Sequence, residues 1–143
     1  MPNISGSFTG NVRQMTLLAL DDQPNHQLQV SAIAGTQRSP DPDWNNSSLN
    51  YWGTADLVNG SGAQRGYFAN QHPDGSRDVG TFEGRIISSG SEVTLEGKFT
   101  FTGGTGKLLG IRGGGTYKGR ITSPTTLEMS WSGQYEAAAG QAA

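Results

Sequence analysis

No cysteine occurs anywhere in the chain, which excludes a disulfide framework and a thiolate nucleophile and leaves stability to packing and hydrogen bonds. Charge is scarce too. Asp, Glu, Lys and Arg make up 15% of the 143 residues, with a formal net charge of −2, against roughly a quarter of an average globular protein. No run of Lys or Arg supplies the basic footprint that a phosphate backbone or an anionic membrane requires. Nowhere do about 18 apolar residues run together, and residues 1–9 lack the basic start and apolar core of a signal peptide. These absences predict a cytoplasmic protein with no nucleic-acid and no membrane partner. The two histidines, His26 and His72, have no ligand-spaced partner of their own type, so no metal is expected.

What the chain has in quantity is glycine, 22 residues, together with five Phe, four Tyr and three Trp. Aromatics with low net charge argue against disorder, and a chain of this length supports one core. Period-two alternation is clearest over residues 93–101, where Val93, Leu95, Phe99 and Phe101 alternate with polar residues, and over 127–135, where Leu127, Met129, Trp131 and Tyr135 do so. Weaker strand signals cover 4–9, 27–34, 49–58, 64–70, 79–87 and 115–121, and 11–20 either extends the first strand or forms a short helix. Seven or eight strands in one all-β domain over residues 1–136 follow, best arranged as a closed antiparallel barrel, with a flexible tail at 137–143.

The segments between strands carry turn chemistry: Asn59-Gly60-Ser61-Gly62, His72-Pro73-Asp74-Gly75, Ser88-Ser89-Gly90-Ser91 and Thr122-Ser123-Pro124. Residues 36–48 differ, being polar, proline-broken and long enough to lie across a barrel mouth as a lid.

A four-residue turn at 88–91 sets Gly84 against Leu95, Phe82 against Gly97 and Gly80 against Phe99. A three-residue turn at 122–124 sets Gly119 against Leu127, Tyr117 against Met129 and Gly115 against Trp131. Glycine within a strand costs roughly 0.5–1 kcal/mol against alanine, so its repetition on one face signals sharp coiling or room for an object inside. In the second case Phe82, Phe99, Tyr117 and Trp131 wall a ligand cavity. On the other face the same register opposes Glu83 and Glu96, flanked by Arg85 and Lys98: either a solvated charge lattice or a buried carboxylate pair fit for acid–base work. Arg65 and Tyr67 share a face and are either surface residues or the polar contacts of a ligand at one mouth, with Trp44 of the lid above it. His72 is a turn residue or, with Asp74, Arg77 and Asp78 close by, an acid or base at the barrel rim.

Gly103-Gly104-Thr105-Gly106-Lys107 is not a phosphate loop, because Phe101 and Leu108 occupy positions that need Gly and Ser/Thr. A dinucleotide fingerprint fails at Leu109, and no Gly-x-Ser-x-Gly elbow occurs. No cofactor is expected. The segment GGTGKLLGIRGGGTY (103–117), after EGKFTF and before KGR, instead resembles the glycine-rich segment of the allene oxide cyclase and dirigent barrel superfamily, and residues 67–135 look like its bacterial members. The resemblance implies a closed antiparallel eight-stranded, calycin-like barrel with an apolar cavity, often in homo-oligomers. A dimer or trimer is therefore expected. It also implies cofactor-free steering of a small apolar or amphipathic intermediate, as in a cyclase or isomerase. Catalytic residues of the plant enzymes do not map onto this chain. A lipocalin-like binding module without catalysis and a filled barrel with an assembly role stay open beside that reading.

Overall fold

Short turns, alternating strands and interior glycines together close one sheet on itself. A computed structural model describes residues 1–138. Its strands are β1 (Asn3–Leu20), β2 (His26–Arg38), β3 (Ser48–Val58), β4 (Ser61–Gln71), β5 (Arg77–Ser89), β6 (Glu92–Thr105), β7 (Arg112–Ser123) and β8 (Thr126–Glu136), with a 3-10 turn at Gly106–Leu108 between β6 and β7. Each strand pairs antiparallel with the next, and β8 pairs back onto β1. The upper mouth carries the β2–β3, β4–β5 and β6–β7 connections and both ends of the described chain. The lower mouth carries the four short hairpin turns. Among the described residues no helix is long and apolar enough to cross a membrane.

Residues 11–20 extend β1 as strand, with a bulge between Val12 and Gln14, so the helical alternative is excluded. Two hairpin registers differ from the sequence reading by the same shift. Gly90 takes φ 63°, which permits a two-residue turn between Ser89 and Glu92. Gly84 then faces Gly97, Phe82 faces Phe99 and Gly80 faces Phe101. Ser123 likewise pairs with Thr126, which puts Gly119 opposite Met129, Tyr117 opposite Trp131 and Gly115 opposite Gly133. Large-against-glycine pairing arises mostly at other seams: Gly97 with Tyr117 and Phe99 with Gly115, Gly66 with Phe82, and Gly6 with Trp131.

Two of these glycines are required by close approach. A Cβ on Gly84 would run into the Glu96 carbonyl and lie 2.7 Å from the Tyr117 hydroxyl, and one on Gly6 would lie 2.6 Å from Trp131 Cζ2. Side chains lie across these bare stretches of wall and fill the interior. Around Trp44 the buried core gathers Ile4, Phe101, Leu108, Ile111 and Ala137. Ala137 is therefore packed rather than part of a loose tail, and residues 139–143 of the expected tail lie outside the described residues. The lid is shorter than expected, because β2 runs to Arg38; the connection spans residues 39–47.

Candidate functional site

The β4–β5 turn builds the polar part of the upper mouth. His72 N–H donates to the Ser76 carbonyl at 2.8 Å, and Gly75 N–H to the His72 carbonyl at 2.9 Å. Asp74 Oδ1 accepts from Ser76 N–H at 2.8 Å, which holds the Asp74 carboxyl below its usual range. Leaving this turn, Asn70 of β4 and Asp78 of β5 stand opposite each other with side chains inward. Both are 1% exposed.

These residues bring together a buried imidazole and a buried carboxyl. His72 Nε2 lies 2.6 Å from Asp78 Oδ2, and Asn70 Nδ2 donates to the same oxygen at 3.2 Å. His72 Nδ1 lies 2.8 Å from the Asp43 backbone carbonyl, an acceptor that requires a proton on Nδ1. Burial pushes Asp78 above the usual carboxyl range, against the opposing pull of His72. Burial lowers His72, but its bonds to Asp78 and the Asp43 carbonyl more than offset this and hold the imidazole above its ordinary value. Both partners therefore favour keeping one shared proton between Nε2 and Oδ2.

Trp44 closes the mouth. Its ring is 2% exposed and meets His72 edge-on at 4.6 Å, Tyr135 at 5.2 Å, Phe101 at 5.8 Å and Trp131 at 5.9 Å. Beneath it lies an apolar chamber of about 80 Å³. Phe82, Phe99, Tyr117 and Trp131 all line this chamber, as do Phe8, Phe68 and Phe101, with Asp78 and Gln37 as polar members. Gln37 Oε1, Asn70 Oδ1 and Trp131 Nε1 are buried without a hydrogen-bond partner. In a folded interior such groups are unusual. Gln64 Nε2 donates to the Tyr117 hydroxyl at 2.8 Å, while burial lifts that phenol to about 12.

Tyr51, Gln64 and Phe82 also line a second, lower chamber of about 140 Å³ with Ile33, Leu95 and Leu127, so they form a partition across the waist. Tyr51 and Phe82 meet edge-on at 5.5 Å, and burial raises the Tyr51 phenol. Above Trp44, on the outside, a cleft of about 290 Å³ is lined by Asp43, His72, Asp74, Lys107, Tyr135 and Glu136. Trp44 and the His72–Asp78 pair thus form the wall between cleft and chamber.

Two of the site readings offered by the sequence fail on geometry. Glu83 faces Lys98 and Arg85 faces Glu96, all four exposed on the outer wall. The buried carboxylate pair does not exist, and the charge lattice is what forms. Arg65 and Tyr67 also point outward from the middle of β4, Tyr67 being 67% exposed, because the alternation that buries Phe68 and Asn70 turns them away. Arg65, Glu83 and Glu96 border an open hollow of the outer wall that offers no enclosure. Among the described residues no group of three or more His, Asp or Glu is placed to hold a metal. The sequence marks Asp78 only as a neighbour of His72 and does not mark Asn70, although Asp78, Gly80, Phe82, Gly84 and Ile86 share one period-two face and the His72 turn sets Asn70 opposite Asp78.

No family model and no curated protein matches the chain. Among solved structures it is similar to a pterocarpan synthase dirigent protein, with a TM-score of 0.52 and 15% identity over 95% of this chain and 89% of that one. With its eight antiparallel strands closed in sequence order, the chain has a dirigent-like barrel fold.

Proposed function

We propose that the protein is a cofactor-free module that holds a small apolar or amphipathic molecule in the upper half of the barrel and exchanges a proton with it through Asp78, as a cyclase or isomerase would. One observation carries this reading: an apolar chamber contains a buried carboxyl tied to an imidazole, beside unpartnered polar atoms of Gln37 and Trp131. A pure binding pocket or a filled barrel has no need of a buried acid–base pair, which is costly unless used or fully satisfied. Aromatic walls would restrain the molecule's conformation and exclude water. Asp78 would give or take the proton, and Trp131 Nε1–H would donate to an oxygen of the bound molecule.

A similar barrel is described as a pterocarpan synthase, which supports an intermediate-holding role for this shape. The closed chamber, at about 80 Å³, is well below the 300 Å³ or more of drug-sized sites, so any but the smallest occupant requires Trp44 to yield.

The test is a titration of isotope-labelled protein with cyclohexanone and cyclohexanol, following the indole N–H resonances. The expected result is a saturable shift of the Trp131 signal with little change at Trp52 on the outer wall. Absence of any shift at Trp131 at saturating probe overturns the reading.

A further inference from the structure

The loop closing the upper mouth is held by hydrogen bonds that cannot all be made in every protonation state. His72 has two ring nitrogens and both face acceptors, the Asp43 carbonyl at Nδ1 and Asp78 Oδ2 at Nε2. Asn70 offers only its Nδ2 here, 3.3 Å from Nε2. While the pair holds its shared proton, both bonds form. Once one proton is lost, the imidazole has a single N–H for two acceptors. An ionised carboxylate at 1% exposure is the stronger acceptor and the costlier to leave bare, so the remaining proton settles on Nε2. The proton that departs is the one on Nδ1, which passes to water in the cleft that His72 lines.

The Asp43 carbonyl is then left facing a bare nitrogen lone pair, on the loop that carries Trp44. That loop is bonded mostly to itself: Trp44 N–H and Asn45 N–H donate to the Asp41 carbonyl at 3.0 Å, and Ser47 Oγ donates to the Trp44 carbonyl at 2.9 Å. Ser39 Oγ ties one end to the Ser5 carbonyl at 2.6 Å. Its other end pairs with Gln37 of β2, Asn46 N–H donating to the Gln37 carbonyl at 2.9 Å and Gln37 N–H to the Ser47 carbonyl at 2.8 Å. Across the mouth it is held by the packing of Trp44 on Phe101, Trp131 and Tyr135, by His72 and by Lys107, whose Nζ lies 3.8 Å from Asp43 and 3.5 Å from Asp74, exposed ion pairs of little strength. The other charges around His72 are Arg77 beside Asp78 on β5 and Glu136 of β8, the latter bonded to Arg112 at 2.7 Å.

We propose that residues 39–47 form a proton-controlled door: loss of one proton from the His72–Asp78 pair frees the Asp43 carbonyl, releases Trp44 and joins the outer cleft to the upper chamber. Because Trp44 lines both spaces, its displacement makes one site from surface to waist partition, suited to an elongated molecule with an apolar end inside and a polar end at Lys107. Only the identity of that occupant rests on the functional reading above; the door itself does not.

Opening is read without any ligand, so its outcome is separate from that of the cyclohexanone titration. Protein labelled with 5-fluorotryptophan, its Trp44 signal assigned with Trp44→Phe, is titrated from about pH 5 to pH 10 alongside the nitrogen shifts of His72. The expected result is a Trp44 signal that turns from solvent-shielded to solvent-exposed at the midpoint where Nδ1 loses its proton. In His72→Gln this transition disappears, and in His26→Gln it stays. The door is overturned if His72 keeps its Nδ1 proton at high pH, or if Trp44 stays shielded after Nδ1 has lost it. The nitrogen shifts are read in the unsubstituted protein, so the proposal is tested even if His72→Gln fails to fold.

Discussion

Each mouth of the barrel holds one histidine bonded to aspartate, and the two sites differ chiefly in their access to water. At the lower mouth His26 lies between Asp22 and Asp56, at 2.6 and 2.5 Å, and those carboxylates are 58% and 62% exposed. Their bonds, Asp22 first and Asp56 second, raise the imidazole, while His26 in turn lowers Asp22. This is an ordinary ion-pair clamp that fastens the β1–β2 turn to β3. At the upper mouth the partner Asp78 is 1% exposed, burial raises it instead of lowering it, and both partners hold a proton more tightly than usual. The same two residue types thus make a brace where water reaches them and a proton store where it does not.

That contrast breaks most decisively on removal of one partner. Asp78→Ala leaves a buried imidazole with the Asp43 carbonyl and a long contact to Asn70 Nδ2 but no carboxylate, and deletions of this kind cost about 3–5 kcal/mol. Asp56→Ala leaves His26 with Asp22 and with water, so its effect on the urea midpoint is far smaller. Equal losses in the two variants would abolish the distinction. The double substitution His72→Leu with Asp78→Leu sharpens it. Replacement of a buried pair by apolar residues of similar volume is commonly neutral or stabilising, so this variant is expected to regain most of the stability that Asp78→Ala loses while shifting none of the proton-linked signals.

How much of this could be read in the sequence depends on which contacts are local. The alternation of residues 93–101 and 127–135 placed Phe99 and Trp131 inward, and β6 and β8 keep that phase. The registers slipped because Gly90 could be counted into a longer turn as easily as a shorter one, and only its positive φ settles the count. That slip carried Glu83 and Glu96 into a false opposition, since a shift of two residues preserves the face but changes every partner. His72 stood out by its titration range. Asp78 was visible only as one of its charged neighbours, and its other acceptor was not visible at all, because Asp43 contributes a backbone carbonyl from 29 residues away, and side-chain patterns do not reveal such a bond.

The pH dependence comes next in size. The raised His72 and Asp78 favour the proton-bound folded state. Unfolded chains release the histidine proton near pH 6.5, so the His72 share of this stabilisation is complete below that pH and is lost as pH rises through its raised folded value. The slope is at most about 1.4 kcal/mol per pH unit for one proton. His26, also raised, contributes in the same direction. Urea titrations at stepped pH on His26→Gln and His72→Gln separate the two. Most of the alkaline slope is expected to survive the first substitution and vanish in the second; the reverse result would make the exposed clamp the proton-sensitive site.

The smallest effect lies on the acid side, where the two mouths differ in sign. Asp22 is lowered by His26, so its stabilisation is present above the ordinary carboxyl value of 3.8 and fades as pH falls through its lower folded value. Asp78 is raised and adds nothing to that acid loss, since a carboxyl that protonates more readily when folded favours the folded state as pH falls. Asp22→Asn is therefore expected to flatten the acid limb of the thermal midpoint below about pH 4 by a small amount and to trim only the His26 share of the alkaline limb, leaving the larger His72 share in place. Because both carboxylates of the lower clamp meet water, about 0.5 M salt should shrink the Asp22 contribution by screening, whereas the sealed upper pair should respond little. An alkaline limb as salt-sensitive as the acid one would mean that water reaches Asp78, and the burial that separates the two histidines would no longer account for their difference.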